Sequence, residues 1–195
     1  MKAAARQRLC FIWRYVLFER IRATAALFAL AVSWPALSSV YSLANLTPDQ
    51  LRLEAKNGTW YNCSETDSAS TWCMDELRYY KQTYFAELAT ESNQVQLTLL
   101  KVYSPLTLVD LQLYLRQDGF KLEYVNINGD AFDVEGLLLN STSETETLKL
   151  DKELILFLNS YPQSAHRHMV WGNRNWRADL TSDGEMVEVK LQSQH

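Results

Sequence analysis

The sequence predicts a mainly β protein, with an antiparallel lipocalin-like curled sheet or half-barrel and one short helix, preceded by one N-terminal transmembrane helix. The transmembrane helix is predicted because a long apolar stretch without charges follows a basic N-terminus. The sheet is predicted because most of the remaining chain alternates apolar and polar residues in short segments separated by turn residues. That remainder is long enough for one ordinary hydrophobic core, so we expect a single exported domain.

The apolar stretch, residues 23–42, can cross a bilayer as a helix, because such a crossing needs about 20 apolar residues. No charged residue lies between Arg22 and Asp49. Residues 1–22 carry six basic residues and one acidic residue, which predicts a cytoplasmic tail and an exported remainder. A cleaved signal peptide is the alternative, since Ala36-Leu37-Ser38 is an acceptable cleavage site. The long basic flank favours an uncleaved anchor.

The exported part is acidic. The whole chain has 19 basic and 23 acidic residues, and without the six basic and one acidic residues of the first 22 it keeps 13 basic and 22 acidic residues, a net charge of −9. A domain of this charge repels the phosphates of nucleic acids. We therefore expect no direct nucleic-acid binding.

Two of the three cysteines fall in the exported part. Cys63 and Cys73 flank a polar segment, and an oxidising compartment favours a disulfide between them. Two free thiols are the alternative. A zinc site is disfavoured, because no second cysteine pair and no closely spaced histidine motif accompanies them.

The first half of the exported part predicts a juxtamembrane linker followed by strands. In the linker, residues 43–58, Thr47-Pro48-Asp49 starts a short helix over residues 50–56 and Asn57-Gly58 ends it. The β-rich domain then spans residues 59–195. Residues 78–88 fit a helical face as well as a strand, but the clear strand at 95–103 favours a hairpin and hence a strand for their second half.

The second half predicts more strands and the one helix of the domain. Leucines alternate with polar residues over 106–116 and predict a strand, which Asp118-Gly119 connects through a hairpin turn to a strand over 120–127. Asp151 is the predicted N-cap of a helix over 152–161. A polar loop at 140–146 and strands at 131–139, 168–180 and 185–191 complete an expected total of seven or eight strands.

The sequence carries no phosphate loop, nucleotide-binding fingerprint, nucleophile elbow or metalloprotease helix. His166 and His168 can share a strand face, but no third metal ligand lies at a suitable spacing, so a solvated strand start is favoured. Asp130, Asp133 and Glu135 suit acid–base chemistry on a glycoside, although carboxylates around a turn of an acidic domain are usually solvated. We therefore expect no enzyme activity, no metal and no cofactor.

Aromatic residues are frequent in the predicted domain and supply the candidate binding residues. In a small barrel they can line an apolar ligand cavity. They can equally fill a core or a partner interface, which is the favoured interpretation. The residues expected to face inward and to contact a ligand or a partner are Trp60, Tyr80, Tyr84, Phe120, Tyr124 and Trp171.

Four acceptor motifs for N-glycosylation begin at Asn45, Asn57, Asn62 and Asn140. They have a meaning only in a eukaryotic secretory pathway. A secretory-pathway protein therefore stays open as an alternative to a bacterial one.

Several predicted landmarks follow one another along the chain. A short basic tail precedes one N-terminal membrane helix, and Trp60 follows soon afterwards. A hairpin then leads into an apolar strand within residues 83–104. Next come a polar-Gly-aromatic hairpin, RQDGFKLEY (116–124), a helix, KELILFLNSY (152–161), and two closing strands. This order of parts resembles the ToxS family of inner-membrane regulatory proteins. The likeness covers most of the exported chain and rests on order and hydrophobic pattern.

The resemblance implies a single-pass protein of the bacterial inner membrane, with a cytoplasmic N-terminus and a periplasmic main domain. Such a protein binds and stabilises the periplasmic domain of a single-pass, membrane-bound transcriptional regulator as a heterodimer. It also implies a barrel shared by the two chains that senses a small hydrophobic ligand, which suits the tendency of an open sheet edge to accept a partner strand. Two alternatives stay open: a self-sufficient lipocalin-like domain that binds a lipid or another hydrophobic ligand, and an assembly factor of an envelope secretion or pilus machine.

Overall fold

The computed structural model describes residues 42–43, 46–64, 70–91 and 94–194. The predicted cytoplasmic tail and all of the predicted membrane span except Ser42 lie outside these residues. Among the helices of the described part, none is long and apolar enough to cross a bilayer. The described residues all belong to one compact unit, residues 39–195.

Nine strands form one antiparallel sheet in the described part of the chain, which confirms the mainly β, antiparallel prediction. The strands are β1 (Tyr61–Asn62), β2 (Ser70–Tyr79), β3 (Gln82–Glu91), β4 (Gln94–Val102), β5 (Lys121–Ile127), β6 (Asp130–Asp133), β7 (Arg167–Gly172), β8 (Trp176–Ser182) and β9 (Met186–Ser193). Their order is β1-β2-β3-β4-β9-β8-β7-β5-β6. Within the described residues the sheet is open, with β1 and β6 at its edges and the C-terminal strand in its middle.

Four helices accompany the sheet in the described residues: one in the predicted linker, where a helix was expected, and three in the predicted domain, where one was expected. They are α1 (Pro48–Lys56), α2 (Pro105–Gln117), α3 (Val134–Leu139) and α4 (Glu144–Asn159). Helix α1 begins and ends as predicted: Thr47 and Gln50 form a capping box at its start, and Asn57 is its C-cap.

Helix α2 corrects the prediction of a strand over residues 106–116. Ser104 caps its start, Pro105 occupies the first turn, and the buried Leu108, Leu111 and Leu115 recur every three or four residues. The predicted hairpin turn is instead the end of this helix. The N–H groups of Gly119 and Phe120 donate to the carbonyls of Arg116 and Leu115, a Schellman motif that requires the positive φ of Gly119 (+79°).

The segment between β6 and β7 also contains more helix than predicted. The expected strand over 131–139 stops at Asp133, whose side chain accepts a hydrogen bond from the Gly136 N–H and thereby caps α3. Helix α4 begins at Glu144, capped by Ser143, so most of the predicted loop over 140–146 lies at or inside its first turn. The region 168–180 forms two strands, β7 and β8, because the chain turns at 173–175.

Residues 78–88 form part of a β-hairpin, which confirms the strand predicted for their second half and excludes the helix. Strand β2 ends at Tyr79 and β3 begins at Gln82, with a turn at Tyr80 and Lys81. Tyr80 adopts a positive φ of 53° in this turn. Its side chain therefore does not follow the alternation of the strand residues. It lies near the C-terminal end of α2, where its hydroxyl donates a hydrogen bond to Asp118.

The core lies on one face of the sheet. Residues that pair across neighbouring strands share a face, and a buried row crosses five strands through Ala86, Leu99, Val189, Leu180 and Met169. Residues 43–58, for which the sequence predicts a linker, contribute to this core. Their buried side chains include Leu43, Leu46, Leu51 and Ala55.

Candidate functional site

The predicted disulfide between Cys63 and Cys73 is present, with the two Cα atoms 5.8 Å apart. It fastens the two-residue strand β1 onto β2, where Tyr61 pairs with Cys73 and Asn62 pairs with Trp72. The Tyr61 hydroxyl adds a hydrogen bond to Asp75 at 2.7 Å. The disulfide therefore secures one edge of the sheet.

The six predicted binding residues are distributed over both faces of the sheet. Tyr124 pairs with Val170 on β7, whereas Trp171, the next residue on β7, faces the core. Tyr80 is half-buried in the β2–β3 turn. The other predicted residues that are buried in the core are Trp60, Tyr84 and Phe120. Tyr124 therefore lies apart from the other five residues, which belong to the core or pack against it.

Asp118 is a buried carboxylate directly after α2, and it accepts four hydrogen bonds. Its Oδ2 accepts from the Tyr79 hydroxyl at 2.9 Å and from the Leu43 backbone N–H at 2.6 Å. Its Oδ1 accepts from the hydroxyls of Tyr80 at 2.6 Å and Ser42 at 2.8 Å. Hydrogen bonds to a charged acceptor are stronger than neutral ones and compensate for its burial. Asp118 thereby ties residues 42–43 to the β2–β3 turn.

Tyrosine rings surround this carboxylate. Tyr80 stacks on Tyr114 with ring centroids 4.7 Å apart, and Tyr79 meets both rings edge-on at 5.2 and 5.6 Å. Burial raises the pKa of the Tyr79 hydroxyl far above its usual value, and the charge and hydrogen bond of Asp118 raise it further. Burial also raises the pKa of Tyr80. Both hydroxyls therefore stay protonated as donors, and the site serves as a structural tie.

A second buried hydrogen bond holds the same N-terminal segment. The Nε1 of Trp176 donates to the carbonyl oxygen of Leu46 at 2.8 Å. Together with the bonds of Asp118, it fixes the chain on both sides of residues 44–45, which lie outside the described part. The residues that directly follow the predicted membrane span are thus integral to the folded core.

An open groove of about 470 Å³ lies beside α3, at the ends of β5 and β7. Leu138 and Leu139 supply apolar side chains to it. Gly172 makes room for the Glu123 carboxylate, because a Cβ at position 172 would overlap that group. Charged residues of both signs line the groove: Lys121, Glu123, Glu135 and Arg174. None of the six predicted aromatic residues lines it.

Glu123 is the titratable group of this groove with a shifted pKa. Burial raises the pKa of its carboxyl, and the negative charges of Glu135 and Asp179 raise it further, while Arg177 opposes them. Arg177 lies 3.9 Å from Glu123 and 3.8 Å from Asp179. The Glu123 carboxyl therefore takes up a proton at a higher pH than a fully solvated glutamate does.

Helices α3 and α4 expose a group of large apolar side chains, here called the α3–α4 patch. The two helices contact each other. Helix α4 packs its inner side against the core through Leu154, Phe157 and Leu158. The patch consists of side chains that are 42–80% exposed: Leu137, Leu138, Leu139, Leu148, Ile155 and Leu156. A helix that is apolar on opposite sides is expected to be covered on both.

Three of the residues considered for metal or acid–base chemistry, His168, Asp130 and Asp133, have structural partners. His168 Nε2 lies 3.0 Å from Asp179, and no group of three metal-ligating side chains occurs in the described part of the chain. Asp130 accepts a hydrogen bond from the Tyr161 hydroxyl, and Asp133 caps α3. His166 lines a second cavity of about 200 Å³ beside the β8–β9 turn. These contacts separate the three predicted carboxylates into different roles.

The α3–α4 patch was missed by the sequence analysis because residues 131–139 were assigned to a strand. In a strand, consecutive leucines alternate between the two faces of the sheet, so Leu137, Leu138 and Leu139 do not predict an exposed apolar surface. The signal for this helix was Asp133, because Asp is favoured at an N-cap and an apolar run, Leu137 to Leu139, follows it within one turn.

The comparisons with known proteins assign no family. The chain matches none of the known protein-family models, and no curated protein and no solved structure is significantly similar to it. Its function is therefore inferred from its own residues.

Proposed function

We propose that this chain is a membrane-anchored, non-enzymatic accessory protein whose exported β domain binds and stabilises a partner protein of the same membrane. The observation that carries the proposal is the α3–α4 patch. Large apolar side chains that are grouped and exposed mark interaction sites, and leucine and isoleucine side chains on two helices that contact each other suit a protein partner.

The helical patch supports partner binding better than the sheet edges do. At one edge, β6 has four residues and begins and ends with Asp130 and Asp133. At the other edge, β1 covers two residues of β2, and β2 is irregular between Met74 and Leu77. Short, charged and irregular edges discourage the addition of a further strand. We therefore place the partner contact on the helices.

The resemblance to ToxS-like proteins supplies the identity of the partner. In this proposal the partner is a single-pass transcriptional regulator of the bacterial inner membrane, bound as a heterodimer through its periplasmic domain. DNA binding belongs to the partner in this proposal. Residues 23–42 anchor the chain, and the disulfide suits the oxidising periplasm.

A second candidate function is binding of a small hydrophobic ligand. The groove of about 470 Å³ favours it, because its volume lies in the range of small-molecule sites and Leu138 and Leu139 belong to both the groove and the patch. A ligand in this groove would lie at the proposed partner interface. The sensing role implied by the resemblance would then depend on both chains.

Recovery of partners from native membranes tests the proposal. The tagged full-length chain is purified in mild detergent, and co-purifying proteins are quantified by mass spectrometry. Leu139→Asp and Leu156→Asp should each reduce recovery of the partner at least about tenfold, since a buried charge at an apolar contact costs more than 1.4 kcal/mol.

The matched control is Leu53→Asp on α1, because Leu53 is 63% exposed and Leu156 is 60% exposed. This control should leave recovery unchanged. Equal recovery for all three variants would exclude the patch as the interface. Recovery of secretion or pilus components instead of a DNA-binding membrane protein would identify an assembly factor, and capture of no protein would favour the ligand-binding domain.

A further inference from the structure

Helix α2 exposes a second apolar stripe, separate in sequence from the α3–α4 patch. Leu106, Val109 and Leu113 follow one side of the helix at spacings of three and four residues and are 64%, 50% and 47% exposed. The remaining exposed residues of α2 are Pro105, Arg116 and Gln117. Asp110, which lies beside this stripe, is half-buried and accepts a hydrogen bond from the Gln82 side chain at 2.8 Å, so the exposed residues of α2 include no acid.

Basic residues surround the C-terminal end of this helix. Residues 78–82 and 115–121 contain a single acidic residue, Asp118, and its carboxylate is buried. The β2–β3 turn lies against this end of α2, because Tyr80 stacks on Tyr114 and bonds to Asp118. The exposed basic residues of these two ranges are Arg78, Lys81, Arg116 and Lys121. Arg78, Lys81 and Arg116 lie at the β2–β3 hairpin and the helix end that contact each other and are here called the basic rim, whereas Lys121 lines the groove that also contains Glu123 and Glu135.

This basic end of α2 adjoins the point where the chain reaches the predicted membrane span. The Ser42 hydroxyl donates to Asp118, the residue directly after α2, at 2.8 Å. Ser42 is also the last residue of the predicted span. A helix of 13 residues is about 20 Å long, so the whole stripe lies within about that distance of the point where the chain would leave the bilayer.

We infer that the α2 stripe and its basic rim contact the outer surface of the bilayer. The basic side chains bind anionic lipid headgroups, and Leu106, Val109 and Leu113 enter the interfacial region, as in amphipathic helices that lie on membranes. The inference rests on the proposed anchoring by residues 23–42. Helix α4 has four acidic residues, Glu144, Glu146, Asp151 and Glu153, so its patch suits a protein partner better than an anionic surface.

Fluorescence quenching in nanodiscs tests this contact in the full-length chain. Single cysteines for an environment-sensitive dye replace Leu113, Val109 or Ile155 in a Cys10→Ser background, and lipids with nitroxide-labelled acyl chains act as the quencher. Quenching at positions 113 and 109 should exceed that at position 155 at least about twofold in discs with phosphatidylglycerol, and less in zwitterionic discs or high salt.

Two charge substitutions separate this inference from the proposed function. Leu113→Glu should reduce quenching at position 109 and leave partner recovery intact, whereas Leu156→Asp should do the reverse. Equal quenching at 109, 113 and 155, or failure of the chain to enter nanodiscs, overturns the membrane contact. Loss of partner recovery in Leu113→Glu without a change in quenching overturns it too and makes the stripe a partner surface. Strong quenching without any recovered partner refutes the proposed function and supports the membrane contact.

Discussion

Replacement of Asp118 by alanine should destabilise the domain strongly, and replacement by asparagine should cost much less. Alanine removes the acceptor of two fully buried donors, the Tyr79 hydroxyl and the Leu43 N–H. A hydrogen bond to a charged group contributes about 1.5–3 kcal/mol, so the loss of both is expected to lower the free energy of unfolding by about 3–6 kcal/mol. Release of a buried charge offsets part of this loss.

Asparagine is tolerated better because a hydroxyl group can accept a hydrogen bond as well as donate one. Its carbonyl oxygen can replace Oδ2 and accept from Tyr79 and Leu43, while its NH₂ group replaces Oδ1 and donates to the hydroxyls of Tyr80 and Ser42. All four contacts survive as neutral bonds. We expect a loss of about 1–2 kcal/mol, since neutral hydrogen bonds are weaker than those to a carboxylate.

Urea and thermal denaturation of the full-length chain in detergent, followed by circular dichroism, measure these effects. The melting temperature should fall by about 2–4 °C per kcal/mol for a domain of this size. Ser42→Ala, which removes one partly buried donor, provides a mild control and stays informative if Asp118→Ala fails to fold. Equal stability of wild type and Asp118→Ala, or lower stability of Asp118→Asn than of Asp118→Ala, would refute the reasoning.

Three further predictions follow from other contacts. Glu135→Gln should lower the pKa of Glu123 toward its usual value, measured by NMR titration of the carboxyl carbon. Because the raised pKa means that the folded state holds this proton more tightly, stability should fall as pH rises from below the unfolded pKa through the folded one, and less so in Glu135→Gln. Reduction of the Cys63–Cys73 disulfide, or Cys63→Ser with Cys73→Ser, should cost about 2–3 kcal/mol by urea denaturation; no change would mean that β1 contributes nothing to the edge. Gly119→Ala should cost about 1 kcal/mol through its positive φ, since a Cβ there meets no neighbour, and a larger loss would point to a contact beyond backbone strain.

The parts of the fold that the sequence predicts well have local signals. The capping residues of α1, the cysteine pair and the β3–β4 hairpin are all specified within about ten residues, so neighbouring side chains decide the structure. The antiparallel class follows from alternation that recurs along most of the chain. The pairing of β4 with β9 joins distant segments and leaves no trace in a single sequence.

Helix α2 was mispredicted because its leucines satisfy two periodicities. Leu111, Leu113 and Leu115 alternate as in a strand, yet Leu108, Leu111 and Leu115 recur as in a helix. Burial decides between them, because Leu113 remains exposed. Composition likewise indicates how many aromatic side chains exist, whereas the strand register decides which face of the sheet each one on a strand occupies, as with Tyr124 and Trp171.

The central position of β9 determines when the domain can become protease-resistant during its synthesis. Strand β9 is the last to be made, and it joins β4 to β8 in the middle of the sheet. Leu46, near the start of the described residues, can bond to Trp176 only after most of the domain has been made. Such distant contacts form slowly, because long loops must close first. Until β9 has been made, strands β1–β4 and strands β5–β8 remain two separate parts of the sheet with exposed apolar faces, and deletion of β9 would leave them unjoined.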